Sequence, residues 1–242
     1  MKKRYTGFTL AEVLITLGII GVVAAMTIPT LMNKVTNDIN VTLLEKNYSV
    51  LTSAFKQFAT DSGCVGDLKC TGIFEGSGNA TGDAIGAAIV PYLKILKDCK
   101  RVTLQGCITS KTNLINNETS INLENYQDYY KIITIDGASI MFGDPSDFNC
   151  IDAYGDGAFH EVCGQIYIDV NGLKPPNRIG RDTFTFYITS SGTLYSDGTS
   201  QFYWANNKWT GSNASHQCSV SANSSGWGCG AQIMEQGWKM NY

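Results

Sequence analysis

Histidine is nearly missing from this chain: His160 and His216 are the two in 242 residues. A histidine-dependent nucleophilic site therefore has little to draw on. Neither a G-x-S-x-G elbow nor a phosphate-cradling P-loop pattern occurs, so no enzyme is expected. Basic charge is also short, with a formal net charge of −3. Nucleic-acid backbones demand a surplus of Lys and Arg, so no nucleic-acid partner is expected; Lys174, Arg178 and Arg181 make a small local cluster at most. No C-x-x-C pair exists, and His160 between Cys150 and Cys163 has no regular ligand spacing, which argues against zinc. Cysteine is absent from the first 60 residues, and residues 13–33 carry no charge at all.

That uncharged run is the most informative thing present. A basic leader containing Lys2, Lys3 and Arg4 ends at Gly7; Phe8 follows, then the single carboxylate Glu12, then the apolar stretch to Met32. About twenty apolar residues span the hydrocarbon layer as a helix. A lone carboxylate at its head costs on the order of a few kcal/mol in lipid, so Glu12 needs a partner. A plain signal anchor is one reading. A secretory signal cleaved near Val23-Ala24-Ala25 is another.

Gly7-Phe8-Thr9-Leu10-Ala11-Glu12 resembles the processing site of type IV prepilins and pseudopilins. The resemblance implies that a prepilin peptidase of the bacterial inner membrane cuts after Gly7 and that Phe8 becomes the N-methylated first residue. It implies that Glu12 pairs with the N-terminal amine of a neighbouring subunit during assembly, and that Pro29 sits where the family kinks its helix. Partners would be the peptidase and other pilin-type subunits in a helical polymer. The basic leader holds the N-terminus in the cytoplasm, which puts the rest of the chain in the periplasm or in an extracellular filament. Loss of Lys2, Lys3 and Arg4 would take the net charge from −3 to −6.

Helical periodicity continues past the membrane-length segment. Leu44, Tyr48, Leu51, Phe55 and Phe58 form one apolar stripe, and Gly63 suits a left-handed C-terminal cap. One helix is expected from about Thr9 to Asp61, roughly 80 Å long. The organisation expected is a leader over 1–7, a transmembrane or filament-core helix over 8–32, its amphipathic continuation over 33–61 and an exported head over 62–242. In the head, Cys64 and Cys70, Cys99 and Cys107, Cys150 and Cys163, and Cys218 and Cys229 fall as near neighbours. An even count in an exported domain points to disulfides; adjacent pairing closes the shortest loops, though spacing alone does not fix it.

Residues 62–125 are the least readable, save for Ile85, Ile89, Tyr92 and Leu96 at helical spacing with Pro91 as a boundary. From Tyr129 the period becomes two. Runs at 130–135, 138–142, 165–170, 184–188 and 193–195 are separated by Asp136-Gly137, Asn171-Gly172 and Ser191-Gly192, which are hairpin and turn signals. An antiparallel sheet of about four strands with one buried face, laid on the second half of the helix, is expected. This is an α+β, pilin-like fold with disulfide-stapled loops. The tail carries Trp204, Trp209, Trp227 and Trp238 and reads as an irregular lobe, which suits a minor pilin or tip adhesin as the alternative to a principal filament subunit. Asp169, Asn171 and Asp182 offer hard oxygens for Ca²⁺, the one cofactor considered. Some pseudopilins hold calcium in a loop beside their sheet; the competing reading here is a turn stiffened by Pro175-Pro176. Asp144, Asp147, Asp152 and Asp156 read as a solvated loop.

Overall fold

The computed structural model describes residues 7, 9–76, 79–103, 106–116, 119–143, 149–150, 161–199, 218–220 and 224–242. It divides into two compact units, Met1–Ile39 and Asn40–Tyr242. A single helix, α1 (Leu10–Asp61), contributes to both.

In the first unit the helix is built from Leu, Ile, Val and Ala, and it is long and apolar enough to cross a membrane. None of its apolar side chains is buried within the chain. Two of its threonines bond back to the helix: Thr16 donates to the carbonyl of Val13 and Thr27 to that of Val23, each at 3.0 Å. Such back-bonding satisfies hydroxyls that would otherwise be stranded in lipid. Pro29 lies inside the helix and leaves the carbonyl of Ala25 without its usual amide donor.

In the second unit the stripe faces the core. Leu44, Leu51 and Phe55 are fully covered, and Val41, Ala54 and Ala59 complete the face. Tyr48 and Phe58 sit half-buried at its margins, Tyr48 against Phe186 and Trp238, and Phe58 against Tyr92. Each fully buried large apolar side chain contributes about 1.5–3 kcal/mol. Gly63 stops the helix at a φ of 70°. Its N–H donates to Thr60 and the N–H of Cys64 donates back to Ala59, the paired bonds of a Schellman cap.

After a 3-10 turn at Leu68–Thr71 comes α2 (Asn79–Ile89), then a second 3-10 turn at Val90–Tyr92. The strands are β1 (Ile95–Lys100), β2 (Thr112–Asn113), β3 (Ser120–Ile121), β4 (Tyr129–Thr134), β5 (Ser139–Gly143), β6 (Val162–Asp169), β7 (Thr183–Thr189) and β8 (Leu194–Ser196), followed by α3 (Cys229–Glu235). Six form one antiparallel sheet in the order β1-β4-β5-β6-β7-β8; β2 and β3 form a separate pair. The architecture is α+β and pilin-like: a long N-terminal helix with an antiparallel sheet. The cysteines stand in adjacent pairs, Cys64–Cys70, Cys99–Cys107, Cys150–Cys163 and Cys218–Cys229.

Three features differ from expectation. The sheet has six strands, not about four, because β1 adds to the edge of β4. The helical spacing from Ile85 therefore ends at Ile89, and Leu96 belongs to a strand. Both sheet faces are buried, not one. Tyr130, Ile132, Ile140, Phe142, Ile166, Ile168, Phe184 and Phe186 meet the helical side, while Tyr129, Met141 and Tyr167 form a second cluster with Ile108, Leu123 and Trp227. Long-range loops supply that second cover, which strand periodicity does not encode.

Candidate functional sites

Gly7 is exposed, with open space where a side chain would project. Phe8 and the leader residues 1–6 lie outside the described residues. Thr9 caps α1. Its N–H and its hydroxyl donate to Glu12 Oε2 at 2.7 and 2.8 Å, and the Glu12 N–H donates back to Thr9 Oγ1 at 3.2 Å. This is a reciprocal capping box: Thr at N-cap, Glu at N3, each satisfying a donor that the first helical turn leaves open. The carboxylate also lies at the positive end of the helix dipole. Glu12 thus has an intramolecular partner in the isolated chain, and the sequence reading missed Thr9. The signal was present as T-x-x-E ahead of an apolar run.

Asp169, Asn171 and Asp182 do come together. Asn171 Nδ2 donates to Asp182 Oδ2 at 3.3 Å, and the Arg178 N–H donates to Asp182 Oδ1 at 2.5 Å. The Thr183 hydroxyl lies 3.3 Å from Asp169 Oδ2 and 3.4 Å from Asp182 Oδ1. Both carboxyl groups are fully covered. Burial, and then the charge of Asp182, pushes the Asp169 carboxyl well above the usual carboxylate range; burial raises Asp182 as well. The oxygens left uncommitted are Asp169 Oδ1 and Asn171 Oδ1. Calcium takes six to eight oxygen ligands, and the side chains of these three residues carry five. What they do is fasten the 170–182 loop to the end of β6 and β7.

The aromatic tail is partly built into the head. Trp227 packs edge-on against Tyr167 at 5.6 Å, and Trp238 packs on Tyr48 at 5.7 Å. Tyr242 closes the chain by donating to the carbonyl of Gly180 at 2.5 Å and lying under the Arg181 guanidinium. Trp204, Trp209, His160, His216 and the acidic positions 144, 147, 152 and 156 fall outside the described residues. Among the described residues no cluster of three or more His, Cys, Asp or Glu is placed to hold a metal. Lys174, Arg178 and Arg181 form no basic surface: the Arg178 Nε is buried, and Arg181 is engaged with Tyr242.

Residues 2–28 match the family model described as the prokaryotic N-terminal methylation motif, the signature of type IV pilins and pseudopilins. No curated protein and no solved structure matches the chain. The motif supports a type IV pilin-like subunit and suggests a structural, non-enzymatic protein. It implies processing by a prepilin peptidase and assembly with other pilin-type subunits, and the apolar helix is compatible with membrane anchoring.

Proposed function

We propose that this chain is a principal subunit of a type IV pilus or of a type II secretion pseudopilus. It is cut after Gly7, methylated at Phe8 and held in the inner membrane by the first half of α1, N-terminus inward and head in the periplasm, until its helix joins a filament. The observation that carries this reading is the pairing of the methylation motif over 2–28 with a helix whose residues 10–39 bury no apolar side chain in their own chain. That much exposed hydrocarbon needs lipid or neighbouring helices around it. Pro29, with its missing amide, loosens the helix where the filament has to bend it.

Glu12 docks the incoming subunit by exchanging its capping partner Thr9 for the amine of a neighbour. Two variants separate docking from capping. Thr9→Ala weakens the cap, worth about 0.5–2 kcal/mol of helix stability, and keeps the carboxylate. Glu12→Ala removes both. In cells carrying the assembly machinery, sheared filaments should contain the Thr9→Ala protein but not the Glu12→Ala protein, with both heads folded in the membrane. Normal incorporation of Glu12→Ala would remove the docking role.

The competing assignment is a minor pilin or tip adhesin that uses its C-terminal lobe. Trp227 and Trp238 are half-buried in packing within the head, which favours the principal subunit. Abundance along purified filaments supports it, and scarcity confined to the tip supports the alternative.

A further inference from the structure

On the sheet face opposite α1, between the 125–128 segment and strand β6, lies a recess of about 590 Å³. That volume is in the range of small-molecule sites. Tyr129 and Tyr167 back it, with ring centroids 5.4 Å apart at 71°, and Tyr126 stands half-buried at its rim, 5.8 Å from Tyr129.

Sequence and register build this recess. Tyr129, Gly143 and Gln165 lie in one cross-strand row of β4, β5 and β6. A side chain at Gly143 would strike the Tyr129 ring at 2.8 Å and the Asp128 carbonyl oxygen at 2.7 Å. Glycine there lets the Tyr129 ring lie across β5 and donate its hydroxyl to Gln165 Oε1 at 2.5 Å. That bond occupies Gln165 Oε1, so the side-chain group with donors still to give is Nε2. The rim is braced from behind. Lys131, fully covered, donates from Nζ to the carbonyls of Tyr126 at 2.5 Å and Tyr129 at 3.3 Å. Glu124 accepts from the Gly106 N–H at 3.1 Å, next to the disulfide that joins Cys107 to β1. A rim held this way spends little ordering entropy when a ligand arrives.

The lining also restricts what fits. It combines tyrosine rings with the carboxamides of Asn125, Gln127 and Gln165 and the carboxylate of Asp128. Among the described residues no cationic side chain lines it, and Lys131 is committed to carbonyls, so these residues offer a phosphate or sulfate no counter-charge. A hydrocarbon ligand would strand the amides. A pyranose ring suits both parts: its C–H face stacks on tyrosine rings, and its hydroxyls pair with carboxamides, which both donate and accept. We propose that this recess binds a neutral saccharide, either free or as the terminal residue of a glycan. The inference does not depend on which filament the subunit enters.

The test is saturation-transfer NMR on the full chain in a sugar-free detergent, titrated with glucose, galactose and N-acetylglucosamine and with maltose, lactose and chitobiose. The expected result is saturable transfer for at least one sugar. Affinity rising with chain length marks a glycan end, and equal affinity for the monosaccharide marks a free sugar. Tyr126→Ala should weaken binding about tenfold through loss of the stacking ring, and Gln127→Ala, whose side chain is exposed and cannot compromise folding, about fivefold. Tyr126→Phe should retain binding. Absence of saturable transfer for all six sugars overturns the proposal, as does binding that both alanine variants leave unchanged.

Discussion

Leu17 and Leu51 are the same residue on the same helix, and they should respond oppositely to truncation. Leu51 is 0% exposed in the core of the head, whereas Leu17 is 60% exposed within its own chain. Removing a buried Leu side chain to Ala costs about 2–5 kcal/mol, made of lost transfer energy and the cavity left behind. Leu51 faces a closely packed sheet whose strands cannot collapse toward it, so the upper half of that range applies. Against a domain stability of about 5–15 kcal/mol this is a large fraction. For a head of this size it corresponds to a fall in melting temperature of roughly 7–20 °C. Leu17→Ala should shift head unfolding by less than about 0.5 kcal/mol, as a substitution remote from the core does. The assay is near-UV circular dichroism of the full chain in detergent, disulfides intact, followed by heat. Equal losses for the two variants, or a Leu51→Ala loss under about 1 kcal/mol, would refute the division of α1 into a covered and an uncovered half.

The buried Asp169–Asp182 pair makes the head sensitive to pH. Its carboxyl groups are raised above their unfolded values, so their contribution is present below about pH 4 and is lost as pH rises through the folded values. Melting temperature should fall as pH rises above about 4, and Asp169→Asn should flatten that slope and raise stability at pH 8; an unchanged slope would remove the pair as its source. Millimolar calcium should leave the pH 8 melting temperature unchanged, and a calcium-dependent rise would show that the donor count here is incomplete. Gly143→Ala, which in an open strand would stabilise by about 0.5–1 kcal/mol, should instead destabilise by about 1–3 kcal/mol because the new Cβ meets the Tyr129 ring. A neutral or stabilising result by chemical denaturation would mean that the ring yields.

Where the chain's own period matches its surroundings, the fold is readable from sequence. Leu44, Leu51 and Phe55 recur at the helical period because one helix face meets one sheet, and Gly63 marks the end because a left-handed cap disfavours a Cβ. β7 alternates Phe184, Phe186 and Ile188 with Thr183, Thr185 and Tyr187, and Asp136-Gly137 and Ser191-Gly192 place the turns of two hairpins. β1 was hidden because Ile95–Lys100 is an edge strand with three charges and an exposed Leu96, while the apolar spacing from Ile85 ran on through Pro91 and mimicked a longer helix. Burial of Thr183 and Thr185 was equally hidden, since the cover on that face comes from residues far away in sequence. At the N-terminus, Glu12 was legible as a costly charge, but its bond to Thr9 had to be seen in the structure. The convergence of Asp169 with Asp182 was legible as a pattern, whereas the occupation of their oxygens by Arg178, Asn171 and Thr183 was not.

The central claim is tested most directly by the mature N-terminus. Intact mass and terminal peptide sequencing of the chain, from a host carrying a prepilin peptidase, should show a protein that begins at N-methylated Phe8. An uncut chain, or one cleaved near Ala25, would contradict the account and leave an ordinary anchor or a secreted head in its place.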